Sequence, residues 1–120
     1  MNPLGPLEAA IMDVLWHATQ PVRVRDVIDA LAPQRTPAYT TAMTVLDNLH
    51  RKGWVVRHMD GKAYRYQPAY SREEAAAQAM RDVLDATGDP AAVLLHFARS
   101  ASRKELAALR RALDEKRSKR

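Results

Sequence analysis

Three helical patterns followed by a hairpin signal constrain the fold of this chain more than any other feature. Apolar residues at helical spacing predict helices over Leu7–Ala18, Val24–Ala32 and Ala38–Lys52. Two β-rich stretches, Trp54–Met59 and Lys62–Pro68, flank Asp60-Gly61, a strong two-residue turn signal. This order is that of a winged helix-turn-helix, mostly α with a two-stranded β-wing, whose third helix enters the major groove of DNA.

The character of the sequence changes after Pro68. Ser71 and Ser102, each followed three residues later by glutamate, and Asp89-Pro90 predict the starts of three further helices. We therefore divide the chain into a winged-helix DNA-binding domain, residues 1–69, and a helical domain, residues 70–120. Apolar residues form narrow stripes on the last two helices: Val93, Leu94, Phe97, Leu106, Leu109 and Leu113. Three short helices bury little by themselves, so we expect these stripes to form a homodimer interface, with two-fold symmetry matching a palindromic operator in double-stranded DNA.

The third helix has an apolar face and a polar face. Ala42, Val45, Leu46 and Leu49 anchor it, whereas Thr40, Thr44, Asp47 and Arg51 share the opposite face. Threonine offers a hydroxyl to phosphates and base edges and a methyl to thymine. Asp47 is unfavourable there unless it accepts from a cytosine amine. The predicted DNA-binding residues are Tyr39, Thr40, Thr41, Thr44, Asn48, Arg51, Lys52, His58, Lys62 and Arg65.

The composition excludes several other classes of protein. The formal net charge is +5, which favours anionic partners, and there are no cysteines for disulfides or thiolate metal sites. The four histidines lack metal-ligand spacing, and neither a nucleophile elbow nor a glycine-rich phosphate loop occurs. We expect a non-enzyme without cofactor or metal. The amino terminus lacks a signal peptide and no apolar stretch could span a membrane, so we predict a cytoplasmic protein without membrane insertion.

Three segments also resemble a known family. LGPLEAAIMDVLW (4–16), YTTAMTVLDNLHRKGWV (39–55) and GKAYRYQP (61–68) are similar to penicillinase repressors of the BlaI/MecI type. The resemblance implies a homodimeric repressor of β-lactamase or related cell-envelope resistance genes. It implies a membrane-bound sensor metalloprotease as a further partner, which triggers cleavage of the repressor. Thr41, Thr44 and Lys52-Gly53 match the family's recognition helix. Asn48 replaces its usual arginine, and His96-Phe97 stands where it is typically cleaved between Asn and Phe.

Two alternatives stay open at this point. A winged helix can serve as a protein-interaction module, which predicts an exposed apolar patch and no salt-dependent DNA binding. A winged-helix regulator can also respond to a small ligand bound between its domains. The polar threonine face and the basic residues from Arg51 to Tyr66 favour DNA binding.

Overall fold

The computed structural model describes residues 4–119 and has the predicted order of elements. The helices are α1 (Pro6–His17), α2 (Val24–Leu31), α3 (Tyr39–Arg51), α4 (Arg72–Ala86), α5 (Pro90–Ser100) and α6 (Arg103–Ser118). The strands are β1 (Val55–Asp60) and β2 (Ala63–Pro68), which pair antiparallel. Each predicted element of the winged part begins and ends within one residue of its observed bounds. The predicted fold class is therefore confirmed.

The core of the winged part lies between α1, α2, α3 and the hairpin. It is built from the apolar faces of the three helices and from one face of the hairpin, where Val55 and Tyr66 are buried. Tyr66 also bonds outside the hairpin, because its backbone exchanges hydrogen bonds of 2.9 and 2.7 Å with Val22 in the α1–α2 connection. No local pattern in the sequence predicts this bridge. It attaches the base of the wing to the start of α2.

The turn of the hairpin lies one residue later than predicted. Asp60 pairs with Ala63 as the last residue of β1, so the two-residue loop is Gly61-Lys62 instead of Asp60-Gly61. Gly61 has φ +68°, and glycine at the first loop position is the pattern of a type II′ turn. The shift places Lys62 at the tip of the wing.

The chain divides into two compact units between Asp82 and Val83, inside α4. The first turns of α4, which the predicted division assigns to the helical domain, pack on α1. The Trp16 indole N–H donates to the Tyr70 carbonyl at 3.0 Å, and the Arg72 guanidinium pairs with Asp13 and lies 4.8 Å from the Trp16 ring centroid. Ala75 is buried in the same core.

The second unit contains the end of α4, α5 and α6. Asp89 and Ser102 cap α5 and α6 by accepting from backbone N–H groups three residues on, as the sequence predicts. No side chain between Val83 and Lys119 is buried. The six predicted interface residues are all partly or largely exposed, with Leu113 at 61%.

Candidate nucleic-acid interface

The recognition helix α3 separates core from surface as predicted. Ala42, Leu46 and Leu49 are completely buried, whereas Thr40, Thr41 and Thr44 are exposed on other faces. The helix ends at Arg51, and Gly53, with φ +86°, turns the chain into the hairpin. The threonines therefore form an exposed, short polar surface on a helix that the core holds in place.

The wing presents one face to α3 and another away from it. The register places Arg57 opposite Tyr66 and Met59 opposite Tyr64, so these side chains share the face that contains the buried Tyr66. His58 lies opposite Arg65 on the other face. The predicted wing residues His58 and Arg65 are therefore on the outer face of the wing. Arg57 is not among the predicted DNA-binding residues, although the alternation of β1 places it on the same face as Val55.

Arg57 connects the wing to the recognition helix through Asp47. Its Nη1 donates to Asp47 Oδ1 at 2.9 Å, and its guanidinium carbon lies 4.2 Å from the Tyr64 ring centroid. Arg51 Nη2 lies 3.2 Å from Asp47 Oδ2 and also donates to the Asn48 side-chain oxygen. The hydrogen bond from Arg57, opposed by partial burial and assisted by Arg51, lowers the pKa of Asp47. The acid that seemed unfavourable on this face is thus ion-paired twice.

Lys52 is held inside the winged unit. Its Nζ donates to both carboxylate oxygens of Glu8, at 3.0 and 2.8 Å, and both side chains are largely covered. Burial raises the pKa of Glu8, but hydrogen bonds from Lys52 and from the Gly5 N–H outweigh it and hold that pKa below its ordinary value. This pair connects the end of α3 to the start of α1.

The remaining basic side chains of the wing differ in their partners. Arg65 is paired with Asp60 and donates to the Pro21 carbonyl at 3.2 Å. Arg23 lies 3.1 Å from the same Asp60 carboxylate. Lys62, exposed at the tip of the wing, makes no ion pair with any residue between Leu4 and Lys119. Lys62 is therefore the wing cation most available to an external anion.

An open cleft of about 450 Å³ lies between the start of α3 and the wing. Tyr39 is exposed at its edge, with the Arg25 guanidinium 5.9 Å from its ring centroid. Met43 and Tyr64, both about 40% exposed, also line the cleft. Neither Arg25, Met43 nor Tyr64 was selected from the sequence. Their proximity depends on where the hairpin packs against α3, which no local pattern encodes.

The described part of the chain has neither a metal cluster nor a membrane helix. Residues 4–119 contain no group of three or more His, Cys, Asp or Glu side chains able to hold a metal ion. Within the same range, every helix is too short or too polar to cross a bilayer.

Comparison with known proteins identifies the class of winged helix. The profile of the penicillinase repressor family matches residues 4–115, nearly the whole chain. The chain belongs to the penicillinase repressor family. Its resemblance to this family in the three quoted segments is confirmed, and its class is that of transcriptional repressors with a winged helix-turn-helix.

Two kinds of relative support this membership in the penicillinase repressor family. The transcriptional regulator BlaI of Mycobacterium tuberculosis H37Rv is 45% identical over 118 residues, 96% of this chain and 86% of that protein. The solution structure of the DNA-binding domain of the repressor BlaI matches 59% of this chain and 85% of that domain, at 25% identity and a TM-score of 0.52. Monomeric Bacillus licheniformis BlaI, solved in complex with the blaP half-operator, matches 61% of this chain and 88% of its own, at 25% identity and a TM-score of 0.50.

Proposed function

We propose that this repressor acts as a homodimer on dyad-symmetric operators in double-stranded DNA, with one winged unit on each half-site. It is a cytoplasmic protein that controls β-lactamase or related cell-envelope resistance genes. It has no catalytic residue. One observation carries the proposal: α3 exposes threonines beside the wing while its other face is buried in the core. Monomeric B. licheniformis BlaI, a structural relative over the winged part, was solved with a half-operator.

The proposed contacts divide by chemistry. Thr40, Thr41, Thr44 and Asn48 face base edges or nearby phosphates, and Tyr39 reaches a phosphate at the start of α3. Arg51 and Lys62 bind the phosphate backbone, and His58 and Arg65 add to it from the outer face of the wing. Since Glu8 holds Lys52, we give Lys52 a tethering role that fixes the end of α3 near the DNA.

The proposed dimer interface is the set of apolar side chains on α5 and α6 already named as stripes. The second unit, Val83 to Lys119, buries none of its side chains, and Leu94, Leu109 and Leu113 are about half exposed or more. Exposed apolar surface of this kind is unfavourable in water and is covered when a second copy binds.

Proteolysis is the proposed route to derepression. His96 and Phe97 lie in α5, and both are exposed. Cleavage between them, by a membrane-bound sensor metalloprotease, would detach Phe97 and α6, and with them four of the six stripe residues. The dimer would then lose two thirds of its apolar contact set, and the repressor would leave the operator.

The protein-interaction alternative has one observation in its favour. Tyr39, Met43 and Tyr64 are exposed around the cleft, and a protein ligand could cover them. On DNA, Met43 and Tyr64 would contact thymine methyls and sugars, and Tyr39 a phosphate. DNA binding and protein interaction can be distinguished by salt, because contacts to phosphates make the affinity for DNA fall steeply as salt rises.

Footprinting of the DNA upstream of the protein's own gene, at several salt concentrations, tests the proposal. We expect protection of a dyad-symmetric site whose two halves are one helical turn or a multiple apart, weakening steeply as salt rises. Protection of no such site would contradict the proposal.

A further inference from the structure

Asp47 occupies a costly position for a DNA-binding protein. It lies on the exposed polar face of α3, one turn after Thr44 and one turn before Arg51. A carboxylate there repels phosphates. Its presence therefore requires a compensating role, and accepting a hydrogen bond from a cytosine amine is one possibility.

The contacts of Asp47 indicate a positioning role. Oδ1 accepts from Arg57 at 2.9 Å, and Oδ2 lies 3.2 Å from Arg51 Nη2. Each carboxylate oxygen is therefore already engaged by a guanidinium. Arg57 is further fixed by the Tyr64 ring, with 22% of its side chain exposed. One carboxylate thus holds one arginine of the wing and one of the recognition helix.

Holding these two arginines in place affects the sequence specificity of DNA binding more than the overall affinity for DNA. A free arginine finds a phosphate on any DNA sequence, whereas a fixed one fits only where the backbone passes at the right place. The winged unit is also close to neutral, with ten Lys or Arg and nine Asp or Glu between residues 4 and 82, a net of +1. Gaining or losing a single carboxylate therefore changes the electrostatic attraction of the winged unit to DNA substantially.

We infer that Asp47 is a specificity-determining positioning residue, which holds Arg57 and Arg51 in place and thereby suppresses binding to arbitrary DNA. The inference rests on the proposed function. It adds to that function a residue that improves discrimination by weakening non-specific binding, and it assigns Arg57, absent from the predicted site, to the interface.

Asp47→Ala tests the inference in the full-length protein. Affinities are measured for the footprinted operator and for a random duplex of equal length, over a range of salt concentrations. We expect tighter binding to the random duplex, with a salt slope steeper by about one unit because an arginine is released to a phosphate. The ratio of operator to random affinity should fall by about tenfold, at the lower end of what one well-placed contact contributes to discrimination.

Two variants separate positioning from bulk charge. Asp29→Ala makes the same change of charge at an exposed site on α2 and should alter both affinities equally. The double variant Asp47→Ala/Arg57→Ala removes the released arginine with its partner, so its salt slope should return toward that of the wild type. Midpoints of thermal unfolding show whether each variant is folded, and Asp47→Asn, which keeps the shape, replaces Asp47→Ala if that variant is not.

Three outcomes would overturn the inference. They are an unchanged operator-to-random ratio, a loss of preference confined to one cytosine position, and an equal effect of Asp29→Ala. In each of these the wild type still protects its operator, so the proposed function stands. Wild-type protein that protects no dyad-symmetric site would overturn both.

Discussion

Two lysines that look equivalent in the sequence have different surroundings in the structure. Lys52 and Lys62 were both predicted to bind phosphates, since each belongs to the basic segment that follows the threonines. Lys52 is largely covered and hydrogen-bonded to Glu8, whereas Lys62 is exposed at the tip of the wing. The partner of Lys52 could not be predicted from local patterns, because Glu8 lies 44 residues away in the sequence.

Alanine substitutions should distinguish the two lysines. Lys62→Ala should weaken operator binding, reduce the salt slope by about 0.9 units for one lost phosphate contact, and leave thermal unfolding unchanged. Lys52→Ala should lower the midpoint of thermal unfolding, because it strands a largely covered carboxylate, and change the salt slope little. Titrations at several salt concentrations and thermal melts check both. A reversed pattern would contradict these roles.

At the level of elements, much of the winged part was predictable and its attachments were not. Proline, glycine and apolar periodicity mark the helix ends locally, so α1 to α3 lie where expected. The turn moved by one residue because the pairing of Asp60 with Ala63 overrode the Asp-Gly signal. The Val22–Tyr66 bridge and the Asp47–Arg57 pair depend on how the hairpin packs, which no local pattern reports.

The Glu8–Lys52 pair between α1 and the end of α3 should make the free energy of unfolding fall at low pH. The pKa of Glu8 is lowered in the folded state, so its pair with Lys52 stabilises the fold above the ordinary glutamate value of 4.5. That stability is lost as the pH falls through the folded pKa. Glu8→Gln should cost about 1 kcal/mol at pH 7 and flatten the loss of stability below about pH 5.

Urea unfolding of the wild type and of Glu8→Gln across this pH range measures the effect. Lys52→Met is the matched variant, since the pair requires both members, and it should flatten the same part of the profile. An acid dependence in Glu8→Gln as steep as that of the wild type would contradict the assignment.

At the scale of the whole molecule, the two units differ in how much apolar surface they bury by themselves. The winged unit has a core of its own, whereas no side chain between Val83 and Lys119 is buried. The apolar stripes on α5 and α6 predict a dimer. The capping box at Ser71 predicts a domain boundary before α4, because it resembles the start of a new domain. The burial of Ala75 against α1 could not be read from spacing.

Leu109→Gln should weaken the proposed dimer. Losing a covered leucine costs about 2 kcal/mol in each copy, or about 4 kcal/mol per dimer, which raises the dissociation constant by roughly three orders of magnitude. Sedimentation measures the oligomeric state, and binding to a single half-site should persist. Leu95→Gln, at a position outside the stripe on α5, is the control. A Leu109→Gln protein that dimerises as tightly as the wild type would place the interface elsewhere.

The positions of the tryptophans give the two units separate optical signals. The chain has two, Trp16 and Trp54, and both lie in the winged unit with ring centroids 6.3 Å apart. Their ultraviolet emission therefore reports this unit alone, and Trp16, bonded to Tyr70, also senses the approach to α4. Helical circular dichroism includes α5 and α6, which contain no indole. Diluting the protein should change the dichroism while the emission stays constant, so the loss of a partner can be followed without a label.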